Sequence, residues 1–359
     1  MLRCRVFPDL KGILKGFRLV KQQGRPVTLT DVAKRAGVSV ATASKALNER
    51  GEVAPETRRR VLAAAEELSF QPNALARGLI SGRTRTVGLL TDELGGRFAI
   101  PVLLGVENAL GNQQMSVLLC DTRGDAIRRK HYIRTLLARQ VDGLIVLGET
   151  NDLRPSLTAD IPVPVVYVYG ESDDPADLSV LADDWGGARL AADHLVGQGR
   201  RRIAHISGEE GYRAARERAE GLRAVLAEAG QSIVGGAMYG DWTQRWGRHA
   251  ARTLLSAHPD IDAIFCASDQ IATGVLDTLH ELGRRVPDDI ALVGYDNWEV
   301  FAAESRPPLT TIDLNLQHLG AVAVSHLFAA LDGAPTTGVI RCPGRLVVRE
   351  STGPATSKP

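Results

Sequence analysis

Two hydrophobic periodicities divide the chain near residue 85. From Thr86 onward, the short apolar runs VGLL, SVLLC, GLIVLG, PVVYVY, IAHIS, AIFCA and ALVGYD alternate with amphipathic stretches at 188–198, 214–229, 248–257 and 271–283. Strands alternating with helices predict parallel α/β sheets. Such sheets take ligands at the carboxyl ends of their strands. With further candidates near the C-terminus, about ten strands are too many for one compact sheet, which predicts two similar lobes.

Before residue 85 the pattern is helical. Thr28 followed by Asp31 reads as a capping box, with Val32, Ala33 and Ala36 behind it as an apolar face. Gly37 falls where the chain must turn, and Ser39 is a good N-cap for a second helix over 40–47. That helix turns Ala43, Ala46 and Leu47 inward and Val40, Ala41, Ser44, Lys45 and Asn48 outward. Pro55 suits the first position of a third helix, although Ala54 is a poor cap, and Val61, Leu62, Ala65 and Leu68 give it an apolar stripe. Small residues where two short helices cross, with Gly in the turn, mark a helix-turn-helix.

Charge sharpens the division. The net charge of the 359 residues is +1, yet residues 1–85 hold 17 Lys and Arg against 7 Asp and Glu, and residues 86–359 hold 26 against 35. A basic head on an acidic body suits a polyanion-binding module joined to a domain that binds none. Cys4, Cys120, Cys266 and Cys342 are scattered without CxxC spacing, so neither zinc nor a disulfide framework is expected, and Cys120 and Cys266 read as buried thiols. No uncharged apolar run approaches the roughly 18 residues of a membrane span. The basic first residues lack the apolar core and cleavage site of a secretory signal, so a cytoplasmic protein at the nucleoid is expected. The GxSxG, GxxxxGK[ST], HExxH and GxGxxG signatures are missing, and the histidines do not cluster at metal spacing. No enzyme, cofactor or metal is expected.

The segment TLTDVAKRAGVSVATASKALN, followed by PETRRRVLAAAEELSFQPNALARGL, closely resembles the DNA-binding head of the LacI/GalR family. Downstream, VDGLIV, GRRRIAHISG, ERAEGLRAVLAEAG, ASDQIATGVLDTLHELGRRVPDDIALVGYDN, RPPLTTID and RLVVREST resemble that family's sensor, itself similar to periplasmic sugar-binding proteins. The resemblance implies a small all-α helix-turn-helix domain at 27–71, a hinge helix and linker at 72–85, and a two-lobed effector-binding and dimerisation domain at 86–350. A basic, disordered extension (1–26) and a flexible tail (351–359) flank them. The chain is expected to pass between lobes near Asp183, Thr311 and Val339. The extension reads either as a basic arm tracking phosphates or as a leader ahead of a start near Val20, and is expected to be dispensable.

The resemblance also assigns roles. Val40 and Ala41 would face base edges in the major groove, where apolar side chains favour thymine methyls. Ser44, Lys45 and Asn48 would follow one turn on, and Thr28, Ser39, Thr42 and Thr57 would bond phosphates. In the hinge, Asn73 and Ala76 would line the minor groove and Leu79 would wedge into a central CG step of a pseudopalindromic operator. Phe98, Arg218, Trp242, Ser268, Asp269 and Asp296 would hold an effector, expected to be a neutral sugar or polyol. Asp183 and Asp184 read as structure at a lobe crossing. GGRF stands where relatives more often carry NPFF, which leaves that edge of the pocket open. The tail, STGPATSKP, carries no apolar heptads, so a homodimer is expected. Two other readings of the same residues are a sugar-binding protein of a transport system and a DNA-binding protein with a vestigial cleft. The helix-turn-helix head argues against the first.

Operator affinity is expected to fall by about 10³-fold or more between 50 and 200 mM salt, because each neutralised phosphate releases close to one counterion. A gel shift series that stays flat over that range overturns the DNA-contact reading.

Overall fold

The computed structural model describes residues 27–48, 51–70 and 83–353, and the chain falls into two units parted at residue 80. The 1–26 extension, hinge residues Asn73, Ala76 and Leu79, and residues 354–359 lie outside the described residues. The first unit holds α1 (Leu29–Ala36), α2 (Val40–Leu47) and α3 (Pro55–Glu67). At the start of α1, Thr28 N and Oγ1 donate to the Asp31 carboxylate at 2.8 and 2.7 Å. Gly37 closes the helix at φ 65°, a left-handed conformation that side chains avoid. Val32, Ala33, Ala43, Ala46, Val61, Ala64 and Ala65 form the core, and Arg35 ties α1 to Glu67 of α3 at 2.7 Å. Leu62 was expected in the buried stripe but is 49% exposed. Residues 61, 64, 65 and 68 follow the i, i+3, i+4, i+7 spacing, and one step of about 100° carries Leu62 off that face.

The second unit is two α/β lobes. The first lobe contains β1 (Thr86–Thr91), α4 (Ala99–Gly111), β2 (Ser116–Asp121), α5 (Ala126–Ala138), β3 (Gly143–Leu147), β4 (Leu153–Arg154), β5 (Val165–Val168), β6 (Glu171–Ser172) and β7 (Leu178–Ala182). The second contains α6 (Asp184–Gly197), β8 (Ile203–Ser207), α7 (Arg213–Glu228), β9 (Ala237–Tyr239), α8 (Gln244–Ala257), β10 (Ala263–Cys266), α9 (Asp269–Glu281), β11 (Ala291–Tyr295), α10 (Glu299–Ala302) and β12 (Thr310–Asp313). The chain then returns to the first lobe for α11 (Leu316–Leu331) and β13 (Gly338–Cys342), and ends in the second with β14 (Arg345–Val347).

All seven apolar runs are strands. The first sheet runs β13-β7-β5-β3-β1-β2 and is wholly parallel. The second runs β14-β12-β11-β10-β8-β9, with only β14 antiparallel. The passages between lobes fall at Asp183, at Leu314–Asn315 and at Pro343–Gly344. Thr311 and Val339 lie inside strands, so the second and third passages come a few residues later than expected. The tail also starts later. Ser351 is buried, donates to Leu292 O at 2.6 Å and accepts from Thr310 N at 2.8 Å. Cys266 is buried as expected, whereas Cys120, on the edge strand β2, is half-buried.

Glycines set the helix crossings. A Cβ on Gly105 of α4 would lie 1.9 Å from Gln317 O of α11, and one on Gly320 would lie 2.4 Å from Val102 O. The second lobe repeats the device with Gly247 and Gly274 between α8 and α9. Backbone contacts this close leave no room for a methyl group. Gly105→Ala is expected to cost about 3 kcal/mol through overpacking, read from urea denaturation. A loss below about 0.5 kcal/mol would show that α4 and α11 slide apart freely.

Candidate functional site

In the head, Ser39 caps α2, its hydroxyl accepting from Thr42 N at 3.1 Å and meeting Thr42 Oγ1 at 2.9 Å. The cap starts the helix so that Ala43 and Ala46 are buried while Val40, Ala41, Lys45 and Asn48 are exposed on the opposite side. Val40 is 43% exposed. Ser44, Thr28, Thr42 and Thr57 are half-buried. Asn48 Nδ2 folds back to donate to Ser44 O at 2.9 Å. Lys45 is exposed and pairs with no carboxylate among the described residues.

In the second unit, loops at the carboxyl ends of strands from both lobes enclose a cavity of about 380 Å³. The first lobe supplies Arg97 and Phe98 after β1, Glu149, Thr150 and Asn151 after β3, and Tyr169 after β5. The second supplies Tyr212 and Arg218 after β8, Trp242 after β9, Gln270 after β10 and Trp298 after β11. The Phe98 and Tyr169 rings meet at a 31° tilt with centroids 4.4 Å apart, and Tyr212 meets Trp242 edge-on at 6.0 Å. The size lies within the usual range for small-molecule pockets, about 300–1,000 Å³, and the wall mixes aromatic rings with charged and amide side chains such as Glu93, Glu149, Asn151 and Gln270.

Beneath the cavity lies a buried charge network. Arg218 is 1% exposed; its Nε and one terminal nitrogen bond Asp184 Oδ1 at 2.8 and 2.7 Å, and another donates to Ala267 O. Its guanidinium lies 3.8 Å from the Tyr295 ring and 3.6 Å from Asp296 Oδ1. Burial works against the Arg218 charge, but Asp184 and Asp296 more than offset it and hold the group protonated. Burial pushes the Asp296 carboxyl up while Arg97 and Arg218 pull it down. From the first lobe, Asn151 Nδ2 donates to Asp184 Oδ2 at 2.9 Å, and its Oδ1 accepts from Ala214 N at 3.0 Å. Asp152 Oδ1 accepts from Arg213 N at 2.8 Å. One lobe therefore caps the α7 helix of the other.

A helix-turn-helix head followed by a two-lobed cleft has close relatives. The sequence model for bacterial regulatory proteins of the lacI family matches residues 28–73, and that for a periplasmic binding protein-like domain matches 192–352. The chain is 34% identical to the ribose operon repressor of Halalkalibacterium halodurans, over 90% of this chain and 97% of that one. It is 32% identical to the HTH-type transcriptional repressor PurR of Photobacterium profundum, over 90% and 98% respectively. The chain belongs to the LacI family of bacterial regulatory proteins. Its fold is similar to the Lac repressor dimer bound to operator and the anti-inducer ONPF, at 29% identity and a TM-score of 0.74 over 92% of this chain and all of that one. It is also similar to the transcriptional regulator CelR in complex with cellobiose, at 32% identity and a TM-score of 0.62 over 91% of this chain and all of that one. The regulator thus joins a DNA-binding head to an effector-binding domain.

Of the six effector residues expected in the regulator, the structure brings Phe98, Arg218 and Trp242 to the cavity wall. Ser268 and Asp269 are not there. Ser268 is fully buried and caps α9, accepting from Ile271 N at 3.2 Å. Asp269 accepts from Trp298 N at 2.7 Å and from Thr311 Oγ1 at 2.6 Å. That clamp holds a loop in which Asp296 and Asn297 take φ of 99° and 51°, a conformation side chains rarely adopt. Asp269 therefore positions the Asp296 loop, and Gln270 is the residue of this segment that reaches the cavity. Asp296 lies under Arg97, 2.9 Å away. Sequence reasoning missed Arg97, Tyr169, Tyr212, Gln270 and Trp298. Tyr169 closes the run PVVYVY, but the others lie two to seven residues beyond their runs, so position after a strand was only a coarse signal.

The Asp184–Arg218 pair bears on mutagenesis. Arg218→Ala strands a buried carboxylate, and breaking such a pair costs about 3–5 kcal/mol. Denaturant titration is expected to show that loss, and Arg218→Lys to recover little of it, because one ammonium cannot replace the guanidinium fork. Unchanged stability of the alanine variant would show that Asp184 is solvated.

Proposed function

We propose that the regulator is a homodimeric repressor that leaves a pseudopalindromic operator when a sugar-sized, hydroxyl-bearing effector fills the cleft between its lobes. The observation that carries this reading is the cavity itself. Both lobes wall it, aromatic rings line it, and a buried cation–carboxylate network floors it, in a chain whose head exposes Val40, Ala41 and Lys45 on one helix. Aromatic faces suit the apolar side of a sugar ring, and the polar floor suits its hydroxyls. The relatives named as a ribose operon repressor and a cellobiose complex support the sugar class. On the DNA side, Val40 and Ala41 read base edges by van der Waals contact, while Ser39, Thr42 and Thr57 hold phosphates. The hinge residues Asn73, Ala76 and Leu79 take the minor groove by family resemblance. An effector drives release only as far as it binds the released state more tightly than the operator-bound one.

The test is fluorescence anisotropy of the full chain on duplex DNA from upstream of its own gene, titrated with pentoses, hexoses and β-linked disaccharides. One of these is expected to release the DNA. Trp242→Ala is expected to bind the same DNA normally and to need at least about tenfold more of that sugar, from the loss of ring stacking. An unchanged dose in this variant, whose ring lies over the Arg218 guanidinium but makes none of its hydrogen bonds, overturns the cleft assignment.

A further inference from the structure

The pair formed by Arg97 and Asp296 is close but poorly made. A terminal nitrogen of Arg97 lies 2.9 Å from Asp296 Oδ2, yet neither Asp296 oxygen has a hydrogen-bond partner, and Arg97 Nε is likewise buried without one. The contact has the charge complementarity of an ion pair without its directional bonds. Asp296 Oδ1 has only a terminal nitrogen of Arg218 at 3.6 Å, so the carboxylate is compensated in charge more than in hydrogen bonds. The guanidinium is nevertheless well housed, lying 4.7 Å from the Phe98 ring centroid and 5.8 Å from that of Trp298. It covers the Asp296 carboxylate, which lies behind the cavity wall formed by Arg97, Phe98 and Trp298.

The same cavity offers this cation a second seat. Glu93 and Glu149 both line it, and neither has an ion-pair partner among the described residues. Burial together with the charges of Asp92 and Glu93 pushes the Glu149 carboxyl up, and Arg154 and Arg129 offset only part of that rise. The neighbouring Asp92 is already held by Arg129 at 3.2 Å and Arg154 at 3.1 Å, so those cations are committed elsewhere. Arg97 follows Gly95 and Gly96, whose backbone freedom suits a side chain that changes seats.

We propose that Arg97 is a displaceable internal cation: in the effector-free chain its guanidinium holds the place on Asp296 that an effector's hydroxyl groups take, and effector binding moves it to Glu93 and Glu149. The inference rests on the cleft being the effector site and adds a mechanism of competition to it. The effector donates two hydroxyl hydrogens to the Asp296 oxygens, satisfying acceptors that Arg97 leaves unmatched. Arg97 in turn gains two carboxylates. Charge is conserved inside the cleft, so a neutral polyol makes the exchange at little electrostatic cost, whereas an anionic ligand meets Asp296, Glu93 and Glu149 together. Arg97 thereby discriminates among effectors without being the group that binds them. It also couples occupancy to the lobes, because Arg97 belongs to the first and Asp296 to the second.

The experiment is thermal denaturation of the full-length wild type and of Arg97→Ala, each titrated with methylguanidinium and separately with the same pentoses, hexoses and disaccharides. Removing the side chain vacates a guanidinium-shaped space, so methylguanidinium at millimolar concentration is expected to raise the Tm of Arg97→Ala and not that of the wild type. Any sugar that stabilises the wild type is expected to act on Arg97→Ala at a concentration at least tenfold lower. Glu149→Gln, which leaves the Asp296 pair intact and therefore folds, is expected to need more of that sugar because the second seat is weakened. A weaker sugar response in Arg97→Ala overturns the inference by making Arg97 a direct ligand contact. A lack of methylguanidinium rescue overturns it by emptying the place on Asp296. Rescue by methylguanidinium with no response to any sugar in either protein supports the internal cation while overturning the sugar reading of the cleft.

Discussion

The buried bond between Asp184 and Arg218 is the constraint on which the sensor depends. Taking both charges from water costs several kcal/mol per ion, and only good geometry with further hydrogen bonds offsets it. The fold supplies both. Asp184 stands in the first turn of α6, where the helix dipole favours a carboxylate, immediately after the first passage between lobes. Arg218 projects from α7, and the two helices pack closely enough that a Cβ on Gly221 would lie 2.4 Å from Trp185 O. Tyr295 OH donates to Asp184 O at 3.2 Å and closes the network from β11. The floor of the cleft is thus tied together from α6, α7 and β11, and loops of the first lobe cover it.

Those loops cross the cleft through polar contacts. Asn151 and Asp152 cap α7, Arg213 pairs with Glu171, and Arg341 of β13 reaches Glu217 at 3.1 Å. These contacts join the two lobes across the cleft, and a ligand can change the balance only by making contacts that these groups do not already make with one another. Polar latches of this kind are weak singly and respond to local competition, which suits a sensor better than an apolar interface of the same extent.

Much of the architecture was legible in the sequence because strands buried on both faces read as continuous apolar runs. Elements whose signals conflict were harder to read. In β7, LSVLA begins directly behind the turn-forming DDPAD and looks like a loop exit. In α4, Pro101 suggests a break, although a proline in the first helical turn removes no bond the helix would make. The charged floor was half legible. Arg218 and Asp296 were recognisable by motif, but nothing in the spacing of residues 184 and 218 says that they meet, because the contact is made by helix packing. Ser268 and Asp269 were misplaced for a related reason. A serine and an aspartate at the start of a helix serve the helix and the neighbouring loop first, and their side chains were spent there before the cavity was formed.

The three passages between the lobes have a consequence for how the chain is made. Neither lobe is a contiguous stretch: the first is closed by β13 at Gly338–Cys342 and the second by β14 at Arg345–Val347, beside the buried Ser351. The head is complete by residue 70, so it can fold while most of the sensor is still unsynthesised. The first lobe, by contrast, must wait through the synthesis of the entire second lobe with the edge of β7 uncovered. During that interval α4 also lacks α11, the helix whose backbone it touches at Gly105. The nascent regulator therefore carries a finished DNA-binding head on an open, unpaired sensor until residues 338–347 complete both sheets.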